Sequence, residues 1–307
     1  MWLEVALPID NHMPLSKTDI VIIAGMTRTG TTTLYYNLQL HPRVYVPLRK
    51  ETNYFSFQHD RGREWFLNLY RHAAPPQVGF DISPGYFFDP LAIQRMKRFD
   101  PEIRVILGIR DPVEWGLSLY YQCASFDFNI PPFEKFIKGY ELKTGRKGKK
   151  IRVEYRKGMV TERIAYYQKS FGDRLLLYNF KLLKDDLLSV LQAIETFVGI
   201  PPYFNSHNID NLQYNASYRR NNKLLAYFAR HELFVSMIEL AFPDPIIRSV
   251  REKISALSVK DKIPSADQTP SIENISLAEE KFAEEQEKIN ELFAKYDIQL
   301  GSRIPYP

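Results

Sequence analysis

The 307-residue sequence predicts an α/β fold with a mainly parallel central sheet flanked by helices, formed by residues 1–307 as a single domain. Three apolar runs of strand length support this prediction, at residues 20–24, 103–109 and 174–178. A segment with helical spacing or helix-capping residues follows each run. Strands that alternate with helices are typical of parallel sheets, because each helix carries the chain back to the start of the next strand.

The composition is that of a globular protein that binds a negatively charged ligand. Hydrophobic residues make up 45% of the chain and aromatic residues 14%, enough for a substantial core. The formal net charge of +5 fits a nucleotide, a sulfated glycan or a nucleic acid. The single cysteine, Cys123, excludes an internal disulfide and fits a reducing compartment.

The first strand leads into a loop bounded by Gly25 and Gly30, with a cation at Arg28, and then into a predicted helix. Such a loop points several backbone N–H groups at one spot, where the helix dipole also favours negative charge. The stretch therefore predicts a phosphate-binding loop. The Walker A form of this loop carries lysine directly after the second glycine, where this chain has Thr31, so the sequence disfavours a nucleoside triphosphatase.

The pattern Gly-x-x-Arg-Thr-Gly-Thr-Thr-x-Leu resembles the 5′-phosphosulfate loop of sulfotransferases, which use 3′-phosphoadenosine 5′-phosphosulfate (PAPS) as the sulfuryl donor. Lysine is usual in that family at the position of Arg28. The substitution keeps the charge but replaces a compact ammonium with a planar guanidinium. The resemblance implies that the 5′-phosphosulfate is held by Arg28, Thr29, Gly30, Thr31 and Thr32. The alternative is a generic glycine turn before a helix.

Lys50 and Glu51, followed by aromatic residues, resemble the Lys-Glu-x-x-Phe-Phe segment of the heparan sulfate sulfotransferases. The resemblance implies that Glu51 is the base that takes the proton of the acceptor hydroxyl. Sulfuryl transfer also needs cations near the departing phosphate oxygen, a role that Arg28 and Lys50 would fill. The alternative for Lys50 and Glu51 is a solvated ion pair, and His59 and His72 are competing bases that we expect at the surface.

Residues 78–88 are predicted to form a short strand followed by a loop. They resemble the Thr-Pro-x-Tyr-Phe loop that lines the acceptor site in the same branch. Those enzymes typically carry a lysine just before the loop, where this chain has Asp81 and Ile82. The departure leaves the acceptor open among carbohydrates and other small metabolites.

Arg110 follows a second buried run and precedes a predicted helix, with Asp111 as N-cap, Pro112 at the first position and Glu114 completing a capping box. Open α/β sheets bind ligands at this carboxyl edge of their strands. The segment resembles the family motif Arg-Asp-Pro-x-x-x-x-x-Ser-x-Tyr. The resemblance implies that Arg110 and Ser118 hold the 3′-phosphate of PAPS; otherwise Arg110 would simply pair with a neighbouring acid.

The remaining segments carry weaker signals. Residues 1–18 are predicted to be an N-terminal extension, residues 143–157 a basic loop that is either solvated or covers the acceptor or donor, and residues 276–300 a helix with a capping box at Ser276 and Glu279. Arg219 and Arg220, in a polar loop, are further candidates for binding PAPS because the family has a basic loop at this place.

Neither a signal peptide nor an apolar run of about eighteen residues is evident, so we expect a cytoplasmic protein without a membrane span. No cluster of histidine, cysteine or carboxylate residues has metal-ligand spacing, so no metal is expected. The predicted partner is a hydroxyl-bearing acceptor and not a nucleic acid, because aromatic residues are not interleaved with the basic run. A P-loop kinase and a non-catalytic polyanion-binding protein remain the alternative functions. The oligomeric state is open.

Overall fold

A computed structural model describes residues 19–124, 131–138, 140–143, 150–153, 158–210, 218–220, 259–262 and 271–296. The strands are β1 (Ile20–Gly25), β2 (Val44–Tyr45), β3 (Val78–Ile82), β4 (Arg104–Ile109), β5 (Tyr140–Lys143), β6 (Lys150–Val153), β7 (Leu175–Asn179), β8 (Tyr218–Arg220) and β9 (Val259–Lys262). The helices are α1 (Thr31–Leu38), α2 (Gly62–Asn68), α3 (Ala92–Phe99), α4 (Pro112–Ala124), α5 (Phe133–Lys138), α6 (Met159–Phe171), α7 (Phe180–Asp185), α8 (Leu187–Val198) and α9 (Ile272–Tyr296).

The central sheet has five strands in the order β2-β3-β1-β4-β7, and every neighbouring pair is parallel. β1 lies in the middle, with Val21 opposite Phe80 of β3 on one side and Arg104 of β4 on the other. The predicted parallel α/β fold is therefore confirmed. Because all five strands run the same way, the loops that follow β1, β3 and β4 leave from one edge of the sheet.

Helices cover both faces of this sheet, because the buried strand residues alternate between the two sides. On one face, Ile22 of β1 belongs to a cluster with Trp115 of α4 and Phe282 of α9. On the other face, Ile23 packs in a cluster that includes Leu34 of α1 and Leu191 of α8. Among the described helices, none has the length and apolar character needed to cross a membrane.

The predicted cap of the last helix is wrong. Ser276 lies inside α9, which begins about one turn earlier, at Ile272. The hydroxyl of Ser271 accepts a hydrogen bond from the N–H of Asn274 at 3.1 Å, so Ser271 caps the helix. Both serines precede a helical pattern, and the helix that starts after Ser271 packs against α4 and α6.

Two predicted loops contain strands. Within the basic run, β5 and β6 pair antiparallel, while residues 144–149 and 154–157 lie outside the described part of the chain. Likewise β8, which holds Arg219 and Arg220, pairs antiparallel with β9. The side chains of these two arginines and residues 1–18 lie outside the described part, so the roles predicted for them stay predictions.

Candidate active site

The loop after β1 starts where two glycines from neighbouring strands meet. The N–H of Met26 donates to the carbonyl of Gly108 at 3.0 Å. A Cβ on Gly25, which has φ +150°, would lie 2.5 Å from the same carbonyl oxygen. The end of β1 can therefore approach β4 this closely only without a side chain, and the loop leaves the sheet beside Arg110.

Gly30 ends the loop and is the N-cap residue of α1; its own backbone lies in the left-handed region, at φ +79°. As the N-cap residue, Gly30 has no side chain that could cap the helix. The helix dipole favours negative charge at this end of α1, where Thr31 and Thr32 lie. The loop and helix start therefore have the local structure predicted for a phosphate-binding loop, and phosphate binding there stays a prediction.

Arg28 connects this loop to α4 and to the end of β4. Its Nε donates a hydrogen bond to Oγ of Ser118 at 3.1 Å. Its own carbonyl accepts a hydrogen bond from Nη1 of Arg110 at 3.0 Å. The structure thus brings together three predicted PAPS-binding residues that come from two separate motifs.

Arg110 is held by groups that leave part of its guanidinium unused. Nη2 donates to Oε2 of Glu114 at 3.1 Å, and the guanidinium carbon lies 4.5 Å from the centre of the Phe180 ring. Nε is buried and has no hydrogen-bond partner among the described residues. A buried donor without a partner costs free energy, so one hydrogen bond of this guanidinium is left to be satisfied by another group.

The positive charges of Arg28 and Arg110 also favour an anion at this edge of the sheet. Burial, and secondly the charge of Arg110, lower the pKa of Arg28. Burial also lowers the pKa of Arg110, although the neighbouring Glu114 opposes the effect. Two cations held together in a partly dehydrated place repel each other, and a bound dianion relieves the repulsion.

The side chains of Thr29 and Glu114 make contacts that differ from those predicted for them. The buried hydroxyl of Thr29 donates to the carbonyl of Met26 at 2.7 Å, so this side chain shapes the loop and does not line the site. Asp111 is the N-cap, as predicted, because its Oδ1 accepts from the N–H of Glu114 at 2.9 Å. The carboxylate of Glu114 pairs with Arg110 and does not complete a capping box.

Glu51 lies in a strained turn. Its φ is +60°, and Asn53 has φ +53°, both in the left-handed region that residues other than glycine rarely adopt. Oε1 of Glu51 accepts from Nζ of Lys50 at 2.9 Å, and 44% of the Glu51 side chain is exposed. The predicted ion pair is therefore present, on a backbone whose strain is typical of functional positions.

Two hydrogen bonds connect this turn, through Ser83, to β1 at the carboxyl edge of the sheet. The N–H of Asn53 donates to Oγ of Ser83 at 3.2 Å. The N–H of Ser83 in turn donates to the carbonyl of Ile23 in β1 at 2.9 Å. The turn that holds Glu51 therefore lies against the loop after β3, which is the strand next to β1.

The competing histidine bases have different surroundings. His72 is exposed, as predicted, and lines a shallow pocket with Tyr45 and Arg49. His59 is half-buried, and its ring centre lies 5.2 Å from that of Tyr54. These contacts give neither histidine a partner of the kind that orients a catalytic base.

A buried carboxylate next to this turn was missed as a functional candidate. Asp81 is fully buried, and its oxygens accept hydrogen bonds from the hydroxyls of Thr52 at 2.9 Å, Ser83 at 2.7 Å and Tyr86 at 2.6 Å. Burial raises its pKa to about 6, although the three hydrogen bonds oppose the shift. The signal in the sequence was an acidic residue within an otherwise apolar strand.

Comparison with known proteins identifies the family. The family described as "Sulfotransferase domain" matches residues 18–229, which is most of the chain. The chain therefore belongs to the sulfotransferase family, whose members use PAPS. The resemblance to PAPS-dependent sulfotransferases on which the sequence analysis relied is confirmed.

The curated relatives include enzymes of the heparan sulfate branch. Heparan sulfate glucosamine 3-O-sulfotransferase 6 from Mus musculus is 31% identical over 127 residues, which cover 41% of this chain and 37% of the relative. Heparan sulfate glucosamine 3-O-sulfotransferase 5 from Homo sapiens is 25% identical over 214 residues, covering 64% of this chain and 58% of the relative. The matched regions span less than two thirds of either relative.

A solved structure has the same fold. The sulfotransferase from Alicyclobacillus acidocaldarius superposes with a TM-score of 0.52 at 20% sequence identity, covering 76% of this chain and all of the other. At this identity the likeness concerns the fold alone. It agrees with the parallel sheet and flanking helices described above.

Proposed function

We propose that this protein transfers a sulfuryl group from PAPS to a hydroxyl of a carbohydrate or another small metabolite, with Glu51 as the base. The observation that carries the proposal is the contact of Arg28 with both Ser118 and Arg110 at the carboxyl edge of the sheet. Family membership supports the reaction class. The heparan sulfate relatives support a carbohydrate acceptor.

The residues at this edge fit a donor with two separate anionic groups. Arg28 and the first N–H groups of α1 would hold the 5′-phosphosulfate, and Arg110 and Ser118 the 3′-phosphate. The left-handed glycine at the start of α1 and the closeness of Arg28, Arg110 and Ser118 support this assignment. The donor supplies the activated sulfuryl group; the protein supplies orientation, positive charge and a base.

Glu51 would act on the acceptor. As the acceptor oxygen forms its bond to sulfur, the hydroxyl proton passes to the carboxylate of Glu51. The sulfur–oxygen bond to the phosphate breaks with its electron pair on the phosphate oxygen, and the charges of Arg28 and Lys50 stabilise that oxygen. The partial exposure of the Glu51 side chain, 44%, is compatible with this role.

The acceptor and the base are tested together with radiolabelled PAPS. Heparan sulfate and a panel of simpler hydroxyl-bearing carbohydrates and metabolites would be offered as acceptors to the wild type and to Glu51→Gln. We expect transfer by the wild type and loss of turnover in Glu51→Gln, while binding of 3′,5′-adenosine bisphosphate is unchanged. A fully active Glu51→Gln variant would assign the base role to another group, and His59 and His72 variants would follow.

The donor is tested by calorimetry of 3′,5′-adenosine bisphosphate beside ATP with magnesium. Tight binding of the bisphosphate and weak binding of ATP is the expected result. The opposite preference would favour a P-loop kinase, although Thr31 occupies the place of the Walker lysine. Tight bisphosphate binding without transfer to any acceptor would favour a non-catalytic protein. The cytoplasmic location and the lack of a metal requirement are also proposals.

A further inference from the structure

Three consecutive backbone N–H groups after Glu51 are bound by hydroxyls that converge on one carboxylate. The N–H of Asn53 donates to Ser83 Oγ at 3.2 Å, that of Tyr54 to Thr52 Oγ1 at 3.3 Å, and that of Phe55 to Tyr86 Oη at 3.3 Å. Each of these hydroxyls donates to Asp81. We call Thr52, Ser83 and Tyr86 the hydroxyl relay.

The negative charge of Asp81 determines where the three hydroxyls of the relay point their hydrogens. A hydroxyl has one hydrogen to donate and lone pairs to accept. Because ionised Asp81 can only accept, each relay hydroxyl directs its hydrogen at Asp81 and offers a lone pair to a backbone N–H. An amide in place of the carboxylate would donate from one side and disturb that order.

From this arrangement we infer that Asp81 is a positioning residue for the sulfuryl transfer, holding the strained turn at Glu51 in its reactive geometry through the hydroxyl relay. The inference rests on the proposed role of Glu51 as base. The turn contains two residues in the left-handed region, Glu51 and Asn53, so it needs external hydrogen bonds to persist. Asn53 also donates through Nδ2 to the carbonyl of Glu51 at 2.9 Å, which ties the relay to the base.

A buried carboxylate can also be purely structural, and Glu195 in α8 provides a matched control. It is buried, and its Oε1 accepts from the N–H groups of Tyr203 at 2.7 Å and Phe204 at 3.0 Å. Glu195 contacts no residue of the proposed site in the described part of the chain. Glu195→Gln therefore reports what losing a buried, hydrogen-bonded carboxylate does to this fold in general.

The first measurement is amide hydrogen exchange, which needs neither donor nor acceptor. Asp81→Asn should speed the exchange of the N–H groups of Asn53, Tyr54 and Phe55 by roughly five- to tenfold, because their hydroxyl acceptors lose their fixed orientation. Glu195→Gln should leave these three unchanged. Thr52→Val removes one relay hydroxyl without changing the shape of the side chain much, and it serves if Asp81→Asn does not fold.

The second measurement is turnover with radiolabelled PAPS and heparan sulfate, or whichever acceptor the panel identifies. Asp81→Asn should lower kcat by roughly ten- to a hundredfold, as expected for a misplaced base, and leave the Kd of 3′,5′-adenosine bisphosphate unchanged.

The outcomes separate the two proposals. If Glu51→Gln abolishes turnover while Asp81→Asn slows it no more than Glu195→Gln does, the positioning role is wrong and the base role stands. Unchanged exchange at residues 53–55 would also overturn the positioning role. If Glu51→Gln is fully active, the base role itself is wrong and the inference about Asp81 falls with it.

Discussion

Nε of Arg28 donates a hydrogen bond to Oγ of Ser118 across 90 positions of sequence. This bond joins the loop that carries the first predicted phosphate site to the helix that carries the second. Arg110 strengthens the connection, because it holds the carbonyl of Arg28. Residues assigned to the two predicted phosphate sites therefore contact each other directly.

Arg110→Ala should weaken binding of 3′,5′-adenosine bisphosphate by roughly ten- to a hundredfold, because charged hydrogen bonds contribute about 1.5–3 kcal/mol. Binding of 5′-AMP, which lacks the 3′-phosphate, should be almost unchanged. Calorimetry of the two nucleotides measures both effects. Arg104→Ala is the control, since Arg104 starts the same strand and donates to the carbonyl of Val198, far from the ligand edge. Equal losses for both nucleotides would contradict the role.

Ser118→Ala should weaken bisphosphate binding by roughly two- to tenfold, which corresponds to the net contribution of about 0.5–1.5 kcal/mol from one typical hydrogen bond. The effect should be smaller in the Arg28→Lys background, because lysine lacks the Nε–H that contacts the serine. A titration of all four proteins with the bisphosphate gives the coupling. Ser170→Ala, in a buried serine of α6, controls for the loss of a hydroxyl. Additive effects would show that Arg28 and Ser118 act independently.

Gly30→Ala should destabilise the protein by roughly 2–4 kcal/mol and remove donor binding, because a Cβ there would lie 2.2 Å from Cδ2 of Leu183. The backbone at φ +79° adds strain. Gly199→Ala separates the two costs, since Gly199 has the same left-handed backbone, at φ +76°, and nothing within 4 Å of the added Cβ. Denaturant unfolding of both variants measures the difference. Equal destabilisation would mean that the contact with Leu183 is easily relieved.

The stability of the protein should depend on the ionisation of Asp81. Its pKa in the folded protein is raised to about 6, so the folded state binds the proton more tightly than the unfolded chain. Tighter proton binding by Asp81 in the folded state therefore stabilises the protein fully below about pH 4. This stabilisation, roughly 2–3 kcal/mol, is lost as the pH rises through 6. The difference in unfolding free energy between the wild type and Asp81→Asn should therefore shrink across this range and stay constant above it.

Denaturant unfolding of both proteins between pH 4 and 8 measures that difference, and groups that titrate equally in both cancel. The groups facing Asp81 are the charge of Glu51, which raises its pKa, and the hydroxyls of Thr52, Ser83 and Tyr86, which lower it. Tyr70 is also close, since burial and, secondly, the charge of Asp81 raise its pKa. A pH-independent difference would show that Asp81 has no raised pKa.

Local sequence determined the elements and the type of site. Apolar runs of strand length set β1, β4 and β7, and Asp111 with Pro112 set the start of α4, because these signals act within a few residues. The glycines around Arg28 indicated the phosphate loop for the same reason. Where two local signals were equivalent, as at Ser271 and Ser276, the prediction was wrong.

Only the tertiary structure decided which residues from distant segments of the chain contact one another. The parallel order β2-β3-β1-β4-β7 brings the turn at Glu51, the loop after β1 and the end of β4 to one edge, and no local pattern contains that order. The contact of Arg28 with Ser118 and the three hydroxyls on Asp81 depend on it. Sequence alone could single out Arg28, Arg110 and the proposed base Glu51, because each belongs to a short motif. It could not name the buried carboxylate beneath them, because the role of Asp81 comes from neighbours that are adjacent only after folding.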